Sequence, residues 1–130
     1  MKKYIYIGVA VLITMFGAGV VEAHHHWGGF HWDKQGPVLS LKLADNISSS
    51  WDKYLKSHST SWSKSSVLDT KVVSGRKSAK TCLPTLGQIE VCSYKYGTNG
   101  WLGLTIVGVI GTQITQATVM LNDTYFSTKT

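Results

Sequence analysis

The run Gly100-Trp101-Leu102-Gly103-Leu104-Thr105-Ile106-Val107, continued beyond Gly108 and Gly111 by Ile114-Thr115-Gln116-Ala117-Thr118-Val119-Met120-Leu121, decides the fold class of this 130-residue chain. Both runs are rich in β-branched residues, which suit an extended backbone. From Leu102 to Ile110 the chain is apolar on both faces, so the pattern predicts a strand buried on both sides or covered by another layer. The segment Trp101 to Gly111 is too short to cross a bilayer, which needs about 20 helical residues.

Upstream, Ile89 and Val91 alternate with Gln88 and Glu90, and Tyr94 and Tyr96 carry the pattern to a turn at Gly97-Thr98-Asn99-Gly100. Val67-Leu68 and Val72-Val73 flank Asp69-Thr70-Lys71, with Gly75 closing another strand. Leu39, Leu41 and Leu43 alternate with Ser40 and Lys42, the period-two mark of a half-buried strand near residues 38–44. Between these strands the spacing becomes helical. Trp51, Tyr54, Leu55, His58 and Trp62 share an arc of roughly 100°, and Ser49 with Asp52 forms a capping-box pattern, which predicts a helix near 48–64. Its aromatic stripe is expected in the core, with His58 as a buried, hydrogen-bonded imidazole. His24-His25-His26-Trp27-Gly28-Gly29-Phe30-His31-Trp32 has no consistent period and is expected outside the regular structure. The chain therefore reads as α+β: a mixed twisted sheet of about five strands, with one long helix after the first.

The N-terminus begins with Lys2-Lys3, continues through an apolar run from Ile5 to Val20 and reaches the small-x-small site Val21-Glu22-Ala23. This is the layout of an export signal. The expected division is a signal peptide at 1–23, a His/Trp-rich segment at 24–37 and one domain at 38–130. Cleavage would leave 107 residues with 11 basic and six acidic side chains, a secreted product (extracellular or periplasmic) with no stable membrane span. The basic residues are scattered, with only Arg76-Lys77 adjacent, so a nucleic-acid partner is not expected. In an exported chain Cys82 and Cys92 are expected to pair across the Pro84 and Gly87 turn.

Catalytic motifs are absent from the sequence. There is no His-Glu-x-x-His and no Gly-x-Ser-x-Gly, all five histidines precede residue 59, and no carboxylate pair is closely spaced. Zinc hydrolysis needs clustered imidazoles and a general base, which His24, His25, His26, His31 and His58 do not supply.

The order Val67-Leu68-Asp69-Thr70, Cys82-Leu83-Pro84, Glu90-Val91-Cys92, Tyr96 to Gly103, Ile114-Thr115-Gln116 and Val119 to Phe126, after the Trp51 to Trp62 helix, resembles secreted matrixin-like zinc metallopeptidases of the metzincin clan. The resemblance implies that residues 38–126 form the upper subdomain of a metzincin-like catalytic domain, ending before the zinc motif, so no catalytic or zinc residue is transferred. It also implies an edge strand that pairs with a protein or peptide substrate, placed by position at Leu102, Gly103, Leu104, Thr105 and Ile106 and running on to Val109. Where animal matrixins carry structural-zinc and calcium ligands, this chain has Met120 and Asn122-Asp123-Thr124, so structural zinc is not expected and calcium is not assigned.

Three functions follow as expectations. The first is the N-terminal part of an exported zinc metalloendopeptidase, inactive as this chain, and the second is a non-catalytic exported binding module of the same fold. The third is a copper site: cleavage after Ala23 would place His26 third behind the free amine of His24, with His25 between, a nitrogen set that suits square-planar Cu(II).

Overall fold

The computed structural model describes residues 28–126, so the export signal and the copper candidates His24, His25 and His26 lie outside the described residues. The elements in chain order are β1 (His31–Trp32), β2 (Leu39–Asn46), α1 (Ser49–Trp62), β3 (Leu68–Ser74), β4 (Ile89–Tyr94), β5 (Gly103–Ile110) and β6 (Gln113–Asn122). They form a mixed α+β fold with one six-stranded sheet in the order β1-β6-β4-β2-β3, and β5 also pairs β6. β4 occupies one side of β6 from Ala117 to Asn122, so β5, which spans Gln113 to Leu121, takes the other side. Every pairing is parallel except β5 with β6. The sixth strand is the two-residue β1, formed by His31 and Trp32 in a segment expected to be irregular. Backbone pairing to Gln113 and Ile114 orders it without any sequence period.

The in-register parallel ladder explains the alternation in β2. Leu43 lies beside Val72 on one side and Ile89 on the other, and Leu39 lies beside Leu68. These side chains share the face that α1 covers. On the opposite face a row runs Val73, Ala44, Glu90, Thr118, Ile106 from β3 to β5. Ala44, Glu90, Cys92, Thr118 and Asn122, all on that second face, are the most deeply buried group in the sheet. Residues 75–88 cover Glu90 and Cys92 of this group, and the loop after β4 covers Asn122. The Cys82–Cys92 disulfide pins the 75–88 segment to β4 as expected, and a loop this short stabilises by about 2 to 3 kcal/mol in the chain-entropy treatment.

Gly75 makes the start of this cover possible. Its N–H donates to the Asp45 carbonyl at 3.0 Å, and a Cβ there would lie 2.2 Å from that oxygen. Backbone cannot yield to such a contact, so a side chain is excluded where β3 turns back over β2.

Helix α1 is rotated relative to its aromatic stripe. The ridge Trp51, Leu55, Ser59, Ser63 faces the sheet: Ser59 is buried, and the Ser59 and Ser63 hydroxyls both bond Thr70 of β3. The neighbouring ridge Tyr54, His58, Trp62 is exposed, Trp62 by 63%. The expectations of a buried His58 and a core position for Tyr54 and Trp62 are thus corrected. Thr70 is satisfied across this interface by both hydroxyls and by the Ser59 carbonyl, to which its own hydroxyl donates at 2.9 Å, and these bonds hold the observed helix phase. Trp51 does pack: its indole N–H donates to Asp123 Oδ1 at 2.8 Å and its ring meets Phe126 edge-on at 5.1 Å.

Candidate peptide-binding edge

The apolar strand expected to be buried on both faces is an exposed sheet edge. β5 has one strand partner, β6, and Leu102, Gly103, Leu104, Thr105 and Ile106 are all exposed, Leu104 by 39% and Ile106 by 54%. Only Val107 and Gly108 are half-buried. A run that is apolar on both faces fits a central strand, yet strand order, which the run does not encode, placed it at the rim.

The phase of the edge follows from one bond. The Asn122 N–H donates to the Leu102 carbonyl at 2.9 Å, and the register then pairs Leu104 with Met120 and Ile106 with Thr118. In an antiparallel ladder, opposed residues alternate between bonded and non-bonded pairs. Leu104 and Ile106 therefore bond inward to β6, whereas Gly103, Thr105 and Val107 turn their N–H and C=O groups away from the sheet. Those groups have no partner among the described residues. Two residues before its end at Ile110 the strand has a register shift between Gly108 and Val109, where the Thr115 hydroxyl donates to the Gly108 carbonyl at 3.2 Å. The two-residue turn Gly111-Thr112 follows, with Gly111 at φ 61°, a positive φ that matches the hairpin turns.

Asn122 holds the other end of β5. Fully buried, its amide donates to the Gly97 and Trp101 carbonyls and to Asn99 Oδ1, while its own Oδ1 accepts from the Tyr96 and Thr124 N–H groups. Five bonds on one side chain fix the loop that launches the edge strand. Next to it, Tyr96 donates its hydroxyl to the Ala79 carbonyl, and burial together with the nearby Asp123 carboxylate raises its pKa.

The positions that the resemblance relates to calcium are engaged within the chain: Asn122 as above, Asp123 by Trp51, and Thr124 Oγ1 by the Gly97 N–H at 2.9 Å. His31 is exposed with Nδ1 2.9 Å from the Gly29 carbonyl, and His58 is exposed on α1. No group of three His, Cys, Asp or Glu side chains comes together among the described residues. His58 instead helps line an apolar groove of about 260 Å³ between α1 and the sheet, with Trp51, Tyr54, Leu55, Val91 and Leu121.

Glu90 carries chemistry that the sequence pattern hides. Its alternation reads as an outward-facing residue, but it is 1% exposed. Asn46 Nδ2 donates to Oε2 at 2.6 Å and Gln88 Nε2 to Oε1 at 2.7 Å. Burial alone would raise its pKa. Donors from Thr85, Gln88 and Asn46 and the Lys77 ammonium outweigh that effect and hold it below the usual carboxylate value. The Thr85 hydroxyl lies toward this carboxylate but is buried without a partner at full hydrogen-bonding geometry. A polar side chain at a centre-strand position was the available signal. Comparison with protein-family models, with curated proteins and with solved structures finds no match to this chain.

Proposed function

We propose that this chain is a peptide-binding module with the sheet of a matrixin-like metallopeptidase, exported by its N-terminal signal, and that an extended segment of a protein or peptide adds to β5 as a further strand. The observation that carries the reading is the outward row of Gly103, Thr105 and Val107 backbone groups on an exposed edge without a charged residue. Main-chain pairing supplies affinity in this mode, and alternate side chains supply selectivity. Leu104 and Ile106 offer an apolar strip on one face, and Thr105 and Val107 a shorter one on the other. The resemblance supports the same strand, since it places substrate contact at Leu102 to Ile106. The sequence contains no His-Glu-x-x-His, so the module is assigned recognition and not peptide hydrolysis.

The phase of β5 provides the test. Thr105→Pro deletes an outward N–H and leaves the β6 ladder intact, a placement edge strands tolerate. Binding of an extended Val/Thr peptide, followed by amide exchange, is expected to protect Gly103, Thr105 and Val107 in the parent and to vanish in Thr105→Pro while its melt stays cooperative. Equal peptide affinity in the two proteins, or protein that pairs only with its own copies at the edge, would overturn the proposal.

A further inference from the structure

On the face away from α1, the end of β3, the chain that follows it and the centre of β2 enclose a half-open pocket of about 430 Å³. Three cations line it: Lys42 from β2, and Arg76 and Lys77 from the segment after β3. Glu90 forms part of its wall, beside Thr85, Gln88 and Ser74. We propose that this pocket binds a small oxyanion, a phosphate or sulfate group, through Lys42 and Arg76.

Charge decides the sign of the ligand. Glu90 is the only carboxylate in the pocket lining, and both of its oxygens already accept from the Asn46 and Gln88 amides, with the Lys77 ammonium opposing its charge. That leaves Lys42 and Arg76, neither of which has a hydrogen-bonded or ion-paired partner among the described residues. Two uncompensated cations in one concavity focus a positive potential and recruit an anion. Arg76 contributes a planar fork matched to tetrahedral oxyanions, and Lys42 a point charge.

The arrangement is held by backbone. The Lys77 N–H donates to Asn46 Oδ1 at 2.8 Å, and the same Asn46 donates to Glu90, so one side chain ties the cation-bearing segment to the pocket wall. Gly75, where no Cβ fits, presses that segment onto β2. The cations are therefore brought together by the fold despite their mutual repulsion.

The test is an NMR titration of the disulfide-bonded chain with inorganic phosphate and with sulfate at constant ionic strength, with glucose 6-phosphate as a third arm. Saturable shifts of the Arg76, Lys77, Thr85 and Gln88 amides are expected, with affinity falling about tenfold for each of Lys42→Gln and Arg76→Gln. Both side chains are exposed, so the melts of these variants are expected to match the parent, and phosphate is expected to raise the Tm of the parent alone. Lys53→Gln with Lys56→Gln on α1 removes two positive charges elsewhere, one more than either pocket variant, and is expected to leave affinity unaltered. Tighter binding of glucose 6-phosphate than of phosphate would support a group displayed on a larger molecule, and equal binding would support the free ion. Linear, unsaturable shifts, or equal weakening by the α1 pair, would overturn the site.

Discussion

The two edges of the sheet are managed in opposite ways. β3, at one end, carries exposed Asp69 and Lys71 and is buttressed by α1 through the Ser59, Ser63 and Thr70 hydroxyls. β5, at the other, has no charge from Gly103 to Ile110 and leaves Ile110 73% exposed. Charged side chains and a covering helix are two of the means by which proteins prevent strand addition. One edge uses both and the other neither, and the proposed strand addition at β5 rests on that contrast.

The largest effect is expected at the support of the open edge. Asn122→Ala removes a fully buried amide and the five bonds that tie down the Tyr96 to Trp101 loop, and should cost on the order of 4 kcal/mol in denaturant unfolding, with β5 amides exchanging faster than those of β3. A loss below about 1 kcal/mol would show that another contact launches β5. The closed edge is expected to be less sensitive: Thr70→Val removes the hydroxyl shared by Ser59 and Ser63 and should cost about 2 kcal/mol, again read from the unfolding midpoint.

Acid should weaken the β3 side through Glu90. Its folded pKa lies below its unfolded value, so the unfolded chain takes up the proton first and stability falls as the pH drops. The contribution is complete above the ordinary carboxylate range and is lost as the pH falls through the folded pKa. Glu90→Gln should therefore flatten the acid limb of a stability-versus-pH curve, and an unchanged slope would remove Glu90 as its source. The smallest stability effect is expected for Ile106→Lys, which gives β5 the kind of charge β3 has. It should alter unfolding by less than about 0.5 kcal/mol but reduce concentration-dependent self-association in sedimentation. Unaltered association would mean that β5 is not the adhesive edge.

Much of the fold was legible locally. The Leu39, Leu41, Leu43 alternation marks β2, the turn residues separate β4 from β5, the helix expected at 48–64 is seen at Ser49–Trp62, and Cys82 pairs with Cys92. The pattern did not place β5 at the rim, because a run apolar on both faces reads as a central strand and strand order is not written in it. His58 and Trp62 misled for a related reason: periodicity reports which residues share a helix face, not which face meets the sheet. The bonds of Ser59 and Ser63 to Thr70 hold the observed face against the sheet, a contact between two consecutive elements that helical period does not encode.

By itself, then, the sequence determined the kind and order of the main elements and the disulfide, since these depend on backbone preference, side-chain period and short loops. Tertiary structure alone decided that β5 lies at the rim with Gly103, Thr105 and Val107 turned outward, that Glu90 is buried among amides, and that Lys42 and Arg76 line one pocket. Each of these depends on strand order and on how residues 75–88 fold back over β2 and β4. Such long-range closures are set by the sum of many burial and hydrogen-bond terms, which no local window of sequence contains.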